Sequence, residues 1–511
     1  MSYPKKYIHL SRASDLSGAD RVLYRLLEIL PAVLAWGTIF GMIFLSWARP
    51  VWVSIFIIVF DLYWFVKTIF LSFHLRSSWR RMAHHLEIDW LARLETLKWD
   101  HVWQLILLPT AAESREVIEE SLASLSNAEW PKERMIVVLS LEDRSPEVRA
   151  LGASLEAKHH DDFGSFLVTY HPNGLEGELQ GKGSNETWAI RKAKHLIDEK
   201  KISYKNIIVS SLDIDSKLFG QFFLCLTWHF LTAERPYRSS FQPVPLYHNN
   251  IWDAGAVSRV VASSGTFWQM MQQERPERLT TFSSHSMSFK SLVEIGFWQV
   301  NIVSEDSRIF WNHFLYYGGD WRVVPLFYPI SMDANLAPST WQTLKNVYKQ
   351  QRRWGWGVEN IPYVLFGFIK NVRVPGGKKI RFTVNLLEGF WSWSTNALLI
   401  FALGWLPVFL GGRAFNMLSI SYNLPRVTRT IMIFAMFGIV TSAVISQAVL
   451  RKTKDDFESK KHPSLLLQWL LMPLTIIIFG ALPALEAQTR LALGGRLRLG
   501  FWVTPKSRSR N

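Results

Sequence analysis

Long apolar stretches separate the polar regions of the chain, and five of them approach the length of a membrane-spanning helix. About 20 apolar residues in a row are needed to cross the hydrocarbon core of a bilayer. The five stretches are residues 29–48, 51–73, 382–410, 431–450 and 465–487. The pattern therefore predicts an integral membrane protein with a two-helix hairpin near its start and a second membrane region near its end.

Between residues 76 and 357 the apolar runs become short and alternate with amphipathic stretches. The runs with the length and polar ends of buried strands are residues 103–109, 134–140, 165–171 and 206–213. The stretches with apolar residues at helical spacing are 113–126 and 185–200. This alternation predicts an α/β domain with a largely parallel sheet covered by helices. In such sheets the ligand binds beyond the carboxyl ends of the strands.

The same pattern divides the chain into five regions. The segment 358–380 mixes a short apolar run with a basic connector broken by Gly and Pro, which favours a helix lying along the membrane surface. The five regions are 1–75, the N-terminus and transmembrane hairpin; 76–357, a cytoplasmic α/β domain; 358–380, the interfacial connector; 381–490, the C-terminal transmembrane region; and 491–511, a basic tail.

Composition and charge agree with a membrane protein. The 511-residue chain is 49% hydrophobic and contains 24 tryptophans. Its formal charge of +15 includes arginines at 76, 80 and 81 that follow the second apolar stretch, whereas Arg49 is the only cation between the first two stretches. The cations before the first stretch are Lys5, Lys6, Arg12, Arg21 and Arg25. The positive-inside rule then places both ends of the hairpin in the cytoplasm. We expect a multi-pass cell-membrane protein that contacts lipids and does not bind nucleic acid.

The late membrane region presents a conflict of topology. Three full crossings after a cytoplasmic domain would place the C-terminus outside, whereas the basic residues 496–510 favour the cytoplasm. One late stretch would then be re-entrant, a hairpin or an interfacial helix, with Pro407, Pro473 and Pro483 as candidate breaks. Asp61, in the second stretch, is a charge at membrane depth, which favours either a polar passage or a polar neighbouring helix.

The first motif that could carry chemistry is Asp213 and Asp215, directly after a predicted strand. Alternation along an extended chain places the two carboxylates on the same side. Such a pair suits Mg²⁺ or Mn²⁺, because hard cations take oxygen ligands and share their coordination with water and substrate phosphates. The alternative is a helix N-cap or a turn, where aspartate is common.

Two more motifs follow along the chain. Glu305 and Asp306 precede a helical segment, where a carboxylate can act as a general base or cap the helix. Gln350, Arg353 and Trp354 share one face if their segment is helical. Arginine offers a forked donor to phosphate, and tryptophan a flat apolar surface to a sugar ring. The alternative is a solvated basic face with the tryptophan as a membrane-interface anchor.

An aspartate, the Asp-x-Asp pair, the Glu-Asp pair and Gln-x-x-Arg-Trp, in this order and flanked by membrane helices, resemble the membrane-embedded family-2-type glycosyltransferases. Cellulose, chitin and hyaluronan synthases belong to this family. The segment FWVTPK, residues 501–506, also resembles a stretch near the end of cellulose synthases. The resemblance covers the whole α/β domain and its surrounding membrane segments. It implies a GT-A-type (nucleotide-diphospho-sugar transferase, Rossmann-like) cytoplasmic domain inserted between transmembrane α-helices.

The resemblance also implies roles for individual residues on the donor side. Asp143 stands where the family has a carboxylate on the nucleoside, although Glu142 is one residue away. Lys182, in the segment Gly-Lys-Gly-Ser-Asn, resembles the lysine of the donor-nucleotide loop. Asp213 and Asp215 would bind the metal, and Asp213 would also contact the nucleotide diphosphate.

On the acceptor side the resemblance assigns the general base to Asp306. Gln350, Arg353 and Trp354 would hold the acceptor and the departing diphosphate. Fixed positive groups aimed at a leaving group are among the largest contributions to catalysis.

Two segments depart from the family pattern. Ala112 stands where asparagine is usual, between the matching Pro109 and Glu113. Residues 284–286, Ser-His-Ser, stand where synthases of long polysaccharides carry a glycine-containing acceptor loop. These departures leave open whether the enzyme extends a polymer or makes a single transfer.

Together these expectations predict an inverting, metal-dependent glycosyltransferase that uses Mg²⁺ or Mn²⁺. Its donor is a nucleotide-diphosphate sugar, with a UDP-sugar favoured, and its acceptor is a saccharide, with polysaccharide synthesis and export as one outcome. Two alternatives stay open. One is single transfer to a lipid-linked acceptor, and the other is an inactive membrane transporter or binding protein.

Overall fold

The computed structural model describes residues 7–111, 113–452 and 467–504, so Lys5, Lys6, Ala112 and the end of the basic tail lie outside the described residues. The helices are α1 (Gly18–Ala48), α2 (Pro50–His85), α3 (Trp90–Leu94), α4 (Arg115–Ser126), α5 (Pro146–His159), α6 (Lys182–Glu199), α7 (Phe222–Thr232), α8 (Ala256–Gln273), α9 (Phe289–Ile295), α10 (Glu305–Tyr316), α11 (Thr340–Gly355), α12 (Asn360–Lys370), α13 (Gly376–Phe401), α14 (Leu406–Leu410), α15 (Gly412–Asn416), α16 (Ser419–Lys452) and α17 (Gln468–Leu493).

One mixed sheet forms the centre of the α/β domain. Its strands are β1 (Trp103–Thr110), β2 (Met135–Glu142), β3 (Ser165–His171), β4 (Ile207–Ser211), β5 (Lys217–Leu218), β6 (Ser239–Tyr247), β7 (His285–Ser288) and β8 (Arg322–Met332). The spatial order is β3-β2-β1-β4-β7-β6-β8-β5.

The four strands expected from the apolar runs are β1 to β4, and they pair in parallel. Side chains of β1 alternate between two cores. Ile106 and Leu108 pack on one face and Leu105 and Leu107 on the other, and all four are at most 1% exposed. Burial on both faces explains why this run is continuously apolar. The predicted α/β class is confirmed as a mixed sheet covered by helices.

The apolar runs do not predict β5 to β8, which complete the sheet. β7 is antiparallel to both β4 and β6. Ser211, the last residue of β4, therefore pairs with His285, the first residue of β7. The carboxyl ends of β1, β2 and β4 and the start of β7 meet at one edge of the sheet, and this edge carries the candidate site.

Among the described residues, α1, α2 and α17 are long and apolar enough to cross a membrane, and α13 with α14 forms a fourth candidate bent by 48°. Many apolar side chains on these helices are exposed. Phe40 and Val59 are each 61% exposed, and Phe73 is 68% exposed. An exposed apolar surface of this kind is typical of contact with a membrane or a protein partner.

Helix α17 lies against the α/β domain at its start and close to the N-terminal segment at its end. Gln468 Oε1 accepts a hydrogen bond of 2.8 Å from Arg259 of α8. Near the other end, the carbonyl of Leu491 accepts a hydrogen bond of 3.2 Å from Arg25 at the start of α1. Both ends of the last apolar stretch are therefore tied by hydrogen bonds to other parts of the chain, one to α8 and one to α1.

The connector at 358–380 forms α12 and the start of α13. Residues 360–368 are all buried, because α12 packs against α1, α10 and α13. A helix at a membrane surface would leave one face to lipid. Burial inside the protein accounts for the apolar run at 360–368, and the interfacial position of the connector stays a prediction.

Buried Arg308 of α10 ties the N-terminal segment and α12 to the helix that carries Asp306. Its Nη1 donates to the carbonyl of Leu10 at 3.0 Å, and its Nε donates to Asn360 Oδ1 at 2.6 Å. Its Nη2 donates to the carbonyl of Glu359 at 3.0 Å. The start of α10 is thus fixed by a fully buried guanidinium whose donors are shared between three elements.

We expect Gly367→Ala in α12 to destabilise the protein by about 1–3 kcal/mol, because overpacking a close helix contact costs about this much. A Cβ at Gly367 would lie 2.5 Å from Leu315 Cδ1 of α10. Denaturant unfolding measures the effect. Gly376→Ala is the matched control, since nothing lies within 4 Å of a Cβ there. Equal stability of the two variants would contradict the packing described for α10 and α12.

Candidate active site

A cavity of about 1280 Å³ starts at the carboxyl edge of the sheet and continues between the long apolar helices, which are candidate membrane spans. Its walls come from the β4–β5 loop, the starts of α6 and α10, and helix α11, and then from α2, α13, α16 and α17. The sequence-predicted residues that line it are Lys182, Asp213, Asp215, Asp306, Gln350, Arg353 and Trp354. Residues far apart in the chain are thus brought to one concave surface.

The ammonium of Lys182, the first residue of α6, joins two of the candidate carboxylates. Its Nζ donates to Asp213 Oδ1 at 2.7 Å and to Asp306 Oδ1 at 2.9 Å. The lysine side chain is only 9% exposed. Burial alone would lower the pKa of Lys182, but the two carboxylates hold it well above its usual range. The three groups form one largely buried, charged cluster at the carboxyl edge of the sheet.

Two glutamates, Glu186 and Glu305, border this cluster, and burial raises the pKa of both. Burial raises the pKa of Glu186 to about 8, although Lys182 at 3.8 Å opposes the shift. Burial, reinforced by the charge of Asp306, raises the pKa of Glu305 well above its usual range. Burial thus disfavours the charged form of both glutamates beside the Lys182 ammonium.

Asp213 and Asp215 both lie in the β4–β5 loop, but their environments differ. Asp213 is 28% exposed and accepts a hydrogen bond of 2.5 Å from Ser283 Oγ. Asp215 is fully buried and accepts a hydrogen bond of 3.0 Å from the backbone N–H of Asp333. In the part of the chain that the structure describes, no three His, Cys, Asp or Glu side chains are arranged to hold a metal ion. Two carboxylates fit Mg²⁺ or Mn²⁺ only if water and a diphosphate complete the coordination.

Glycines on both sides of Lys182 allow α6 to approach its neighbours closely. A Cβ at Gly183 would lie 2.7 Å from the carbonyl oxygen of Gln299. A Cβ at Gly181 would lie 2.7 Å from the ring of Phe501, in the segment that follows α17. The sequence Gly-Lys-Gly therefore has a local reason, because any side chain at either position would push α6 and its lysine out of place.

Glu142, rather than Asp143, lies in the cavity wall at the end of β2. Asp143 instead pairs with Arg149 through two contacts of 2.9 and 2.6 Å. Glu142 is 2% exposed, and His171 Nδ1 lies 3.3 Å from its carboxylate. Burial alone would lower the pKa of His171, but Glu142 and Glu178 raise it. Of the two positions left open by the sequence, Glu142 is the one that lines the cavity.

The two neighbouring arginines of helix α11 make different contacts. Arg352 donates to Glu486 of α17 at 2.7 Å, which anchors α11 to the membrane region. Arg353 lines the cavity, with its guanidinium 5.3 Å from the centre of the Phe501 ring. Its buried Nε has no hydrogen-bond partner among the described residues. An arginine with donor capacity left in a cavity is suited to bind an anionic group.

Trp354 lies in an aromatic group beside the charged cluster. Its ring centre is 5.9 Å from those of both Tyr247 and Phe282. Burial, reinforced by the charges of Asp213 and Asp215, raises the pKa of Tyr247 well above its usual range. The site thus combines an apolar ring surface with carboxylates and a guanidinium, a combination suited to a sugar carrying a charged leaving group.

The segment Ser-His-Ser occupies the start of β7 and has a structural role there. Ser284 has φ +62°, a left-handed conformation that favours glycine. The backbone thus retains the conformation expected of a glycine loop although the residue is serine. His285 is fully buried, its Nδ1 is 2.9 Å from the carbonyl of Phe282, and burial lowers its pKa to about 4. The neutral ring of His285 lies next to Asp306, with 4.0 Å between His285 Nδ1 and Asp306 Oδ1.

Charged groups also line the cavity between the membrane helices. Lys67 of α2 donates to Glu388 of α13 at 2.9 Å, and its ammonium lies 4.2 Å from the centre of the Trp64 ring. Asp61, only 6% exposed, is part of the same wall. The charged side chains of these apolar helices therefore face the cavity rather than the outer surface of the helices.

The sequence patterns did not single out Glu186, Ser283 or Tyr247 as site residues. Glu186 follows Lys182 by one helical turn, and this spacing was the only available signal that the two groups meet. Ser283 and Tyr247 reach the site from the start of β7 and the end of β6, two strands that the apolar runs do not predict.

No protein-family model and no curated protein matches the chain. Among solved structures, the mannosyltransferase PcManGT from Pyrobaculum calidifontis, in complex with GDP-Man and Mn²⁺, matches with a TM-score of 0.39 and 14% identity over 76% of this chain and 99% of that chain. Residues 1–349 of S. aureus TarS, in complex with UDP, match with a TM-score of 0.35 and 11% identity over 70% of this chain and 95% of that chain. At such distances a likeness does not assign a function, which has to rest on the site itself.

We expect Glu186→Gln to reduce the loss of stability between about pH 5 and about pH 8. The folded protein binds the Glu186 proton more tightly than the unfolded chain does, because burial raises the pKa to about 8. Stability from this group is therefore full below the unfolded pKa and is lost as the pH rises through the folded one. Thermal unfolding across this pH range measures the slope. Glu199→Gln, at the exposed end of α6, should keep the wild-type slope; equal slopes in all three proteins would contradict the assignment.

Proposed function

We propose that the protein is an inverting, family-2-type glycosyltransferase of the membrane, with a GT-A-type catalytic domain that uses a nucleotide-diphosphate sugar. The observation that supports this most directly is that five groups line one cavity at the carboxyl edge of the sheet, namely Asp213, Asp215, Lys182, Asp306 and Arg353. A carboxylate pair, a candidate base and two cations are the groups that sugar transfer from a diphosphate requires.

Asp306 is the proposed general base. In a single displacement, its carboxylate takes the proton of the acceptor hydroxyl while the acceptor oxygen forms a bond to the anomeric carbon. The bond from that carbon to the diphosphate oxygen breaks with its electron pair, and the sugar configuration inverts. Asp306 is 22% exposed at the start of α10, so an acceptor can reach it from the cavity.

The diphosphate needs positive groups as its charge develops. Arg353 supplies a guanidinium in the cavity wall, and Lys182 an ammonium at the N-terminus of α6, where backbone N–H groups also favour anions. Mg²⁺ or Mn²⁺, held by Asp213 and Asp215, would add charge stabilisation when bound. Preorganised cations of this kind are worth about 3 kcal/mol each in comparable sites.

The nucleoside would lie beyond β2, in contact with Glu142. A carboxylate in this position accepts a hydrogen bond from a ring N–H, which uracil and guanine both offer. We therefore retain a UDP-sugar as the favoured donor and a GDP-sugar as the first alternative to test.

For the membrane region we propose that α1, α2, α13 with α14, and α16 cross the bilayer and that α17 is re-entrant or interfacial. Four crossings return the chain to the side of the catalytic domain. This arrangement is supported by the contacts of Gln468 with Arg259 and of Leu491 with Arg25. It removes the conflict between the number of apolar stretches and the basic C-terminal residues.

The continuation of the cavity between α2, α13, α16 and α17 supports an acceptor or product that enters the membrane region. A saccharide extended and exported along this path is the first candidate. The second candidate is a single transfer to a lipid-linked acceptor. It is favoured by apolar side chains in the same cavity walls, among them Phe65, Met436 and Phe479. Labelled donor separates the two, since extension gives a ladder of products and single transfer gives one extractable lipid.

A donor screen tests the proposed function. We expect purified protein in nanodiscs, supplied with Mg²⁺ or Mn²⁺, to release nucleotide from one UDP- or GDP-sugar. Asp213→Asn and Asp306→Asn should each lower the rate by about 100-fold or more, as loss of a general base or a metal ligand does. Asp320→Asn, which alters only an exposed ion pair with Arg235, should keep wild-type activity. Nucleotide-sugar hydrolysis that survives in both site variants would contradict the assignment.

The neighbouring arginines of α11 give a second, paired test. Arg353→Gln should lower kcat by about 100-fold, because one donor to the leaving group is lost from a site that excludes water. Arg352→Gln should mainly lower thermal stability, because it removes the contact with Glu486. Initial rates at saturating donor and thermal unfolding separate the two effects. A larger loss of kcat in Arg352→Gln than in Arg353→Gln would overturn the roles given to this helix.

A further inference from the structure

The Lys182 ammonium lies between the two carboxylates that the proposed reaction needs for different purposes. Asp213 is required for a metal and a diphosphate, and Asp306 for the acceptor proton. Nζ is 2.7 Å from Asp213 Oδ1 and 2.9 Å from Asp306 Oδ1. One lysine thus occupies an oxygen of the metal pair and an oxygen of the base at the same time.

This placement sets up a competition between cations. A divalent ion bound to Asp213 would lie close to an ammonium that already uses the same carboxylate, and like charges at short range in a buried site repel strongly. The ammonium and the divalent ion would also compete for the same oxygen, because Nζ already donates to Asp213 Oδ1.

A nucleotide diphosphate changes the balance. It brings negative charge to the N-terminus of α6, the turn on which Lys182 is the first residue. Its oxygens can accept hydrogen bonds from the ammonium, and the lysine side chain has enough rotatable bonds to reach them without backbone movement. The carboxylates that the ammonium leaves can then accept the metal and the acceptor hydroxyl.

We propose that Lys182 is a built-in counter-cation that holds Asp213 and Asp306 until a nucleotide diphosphate draws it away, so that the metal enters with the donor rather than before it. This inference rests on the proposed donor site. It assigns a binding order to donor and metal. It also means that Asp306 stays paired with Lys182 while no donor is bound. The opposite arrangement is a permanent structural ion pair that stays in place throughout the reaction.

Binding of Mn²⁺ alone separates the two arrangements. Free Mn²⁺ is measured by electron paramagnetic resonance over the full-length protein in detergent, first without nucleotide and then with UDP or GDP. The test variants are Lys182→Met and Lys182→Gln, which remove the charge, and the Gln side chain keeps N–H donors for the carboxylates if Met impairs folding. Lys182→Arg keeps the charge. Lys194→Met is the matched control on α6, because it alters only contacts with Asp198 and Tyr204 at the other end of the helix.

We expect the two neutral variants to bind Mn²⁺ without nucleotide about tenfold more tightly than wild type, a coupling of ordinary size. Lys182→Arg and Lys194→Met should bind it as weakly as wild type. Addition of UDP or GDP should tighten Mn²⁺ binding more in wild type than in the neutral variants, because only wild type exchanges one cation for another. The neutral variants should thus bind Mn²⁺ more tightly in the absence of nucleotide and respond less to added nucleotide. A permanent structural ion pair predicts neither change.

Unchanged or weaker Mn²⁺ binding in both folded neutral variants would overturn the inference. Wild-type protein that binds Mn²⁺ equally well with and without nucleotide would overturn it too. The failure of the proposed function has a different signature, since UDP and GDP would then bind to none of the proteins. If UDP or GDP binds to all of the proteins but the neutral variants have the Mn²⁺ affinity of wild type, the proposed exchange of Lys182 for the metal is wrong and the proposed function is not affected.

Discussion

The contact of one buried ammonium with two carboxylates organises the whole catalytic end of the molecule. Lys182 starts α6, Asp213 follows β4, and Asp306 lies in the first turn of α10, so three separate elements have to meet within hydrogen-bond distance. Removing any one of these charges would leave the others uncompensated in a buried place, which is costly. The close packing of α6 at Gly183 and the hydrogen bonds of the buried Arg308 hold these elements in place.

The sheet and the membrane helices contribute to the site in different ways. The parallel strands deliver polar residues to one edge, and the antiparallel β7 returns to that edge with Ser283 and Ser284. Helix α11 then joins the edge to the membrane region, because one face carries Arg353 and the other pairs with Glu486. A movement of α17 would thus be transmitted directly to the arginine that faces the cavity.

Much of the domain could be predicted from the chain because its signals are local. Continuous apolar runs mark β1 to β4, since these strands are buried on both faces. β6 is interrupted by prolines at 243 and 245, and β7 has only four residues, so neither gives a recognisable period. Alternation alone does not decide whether Glu142 or Asp143 lines the cavity. Glu142 lines it, whereas Asp143 forms an ion pair with Arg149. Length and hydropathy likewise do not reveal the contacts of α17 with Arg259 and Arg25, because these contacts depend on the tertiary structure.

The most direct measurement is a cryo-electron microscopy structure of the full-length protein in nanodiscs with UDP and Mn²⁺. We expect the diphosphate between the N-terminus of α6 and Arg353, with Mn²⁺ on Asp213 or Asp215 and the ammonium of Lys182 on a phosphate oxygen. Nucleotide density outside this cavity, or an empty cavity at saturating UDP, would contradict the assignment of the site and with it the proposed sugar transfer.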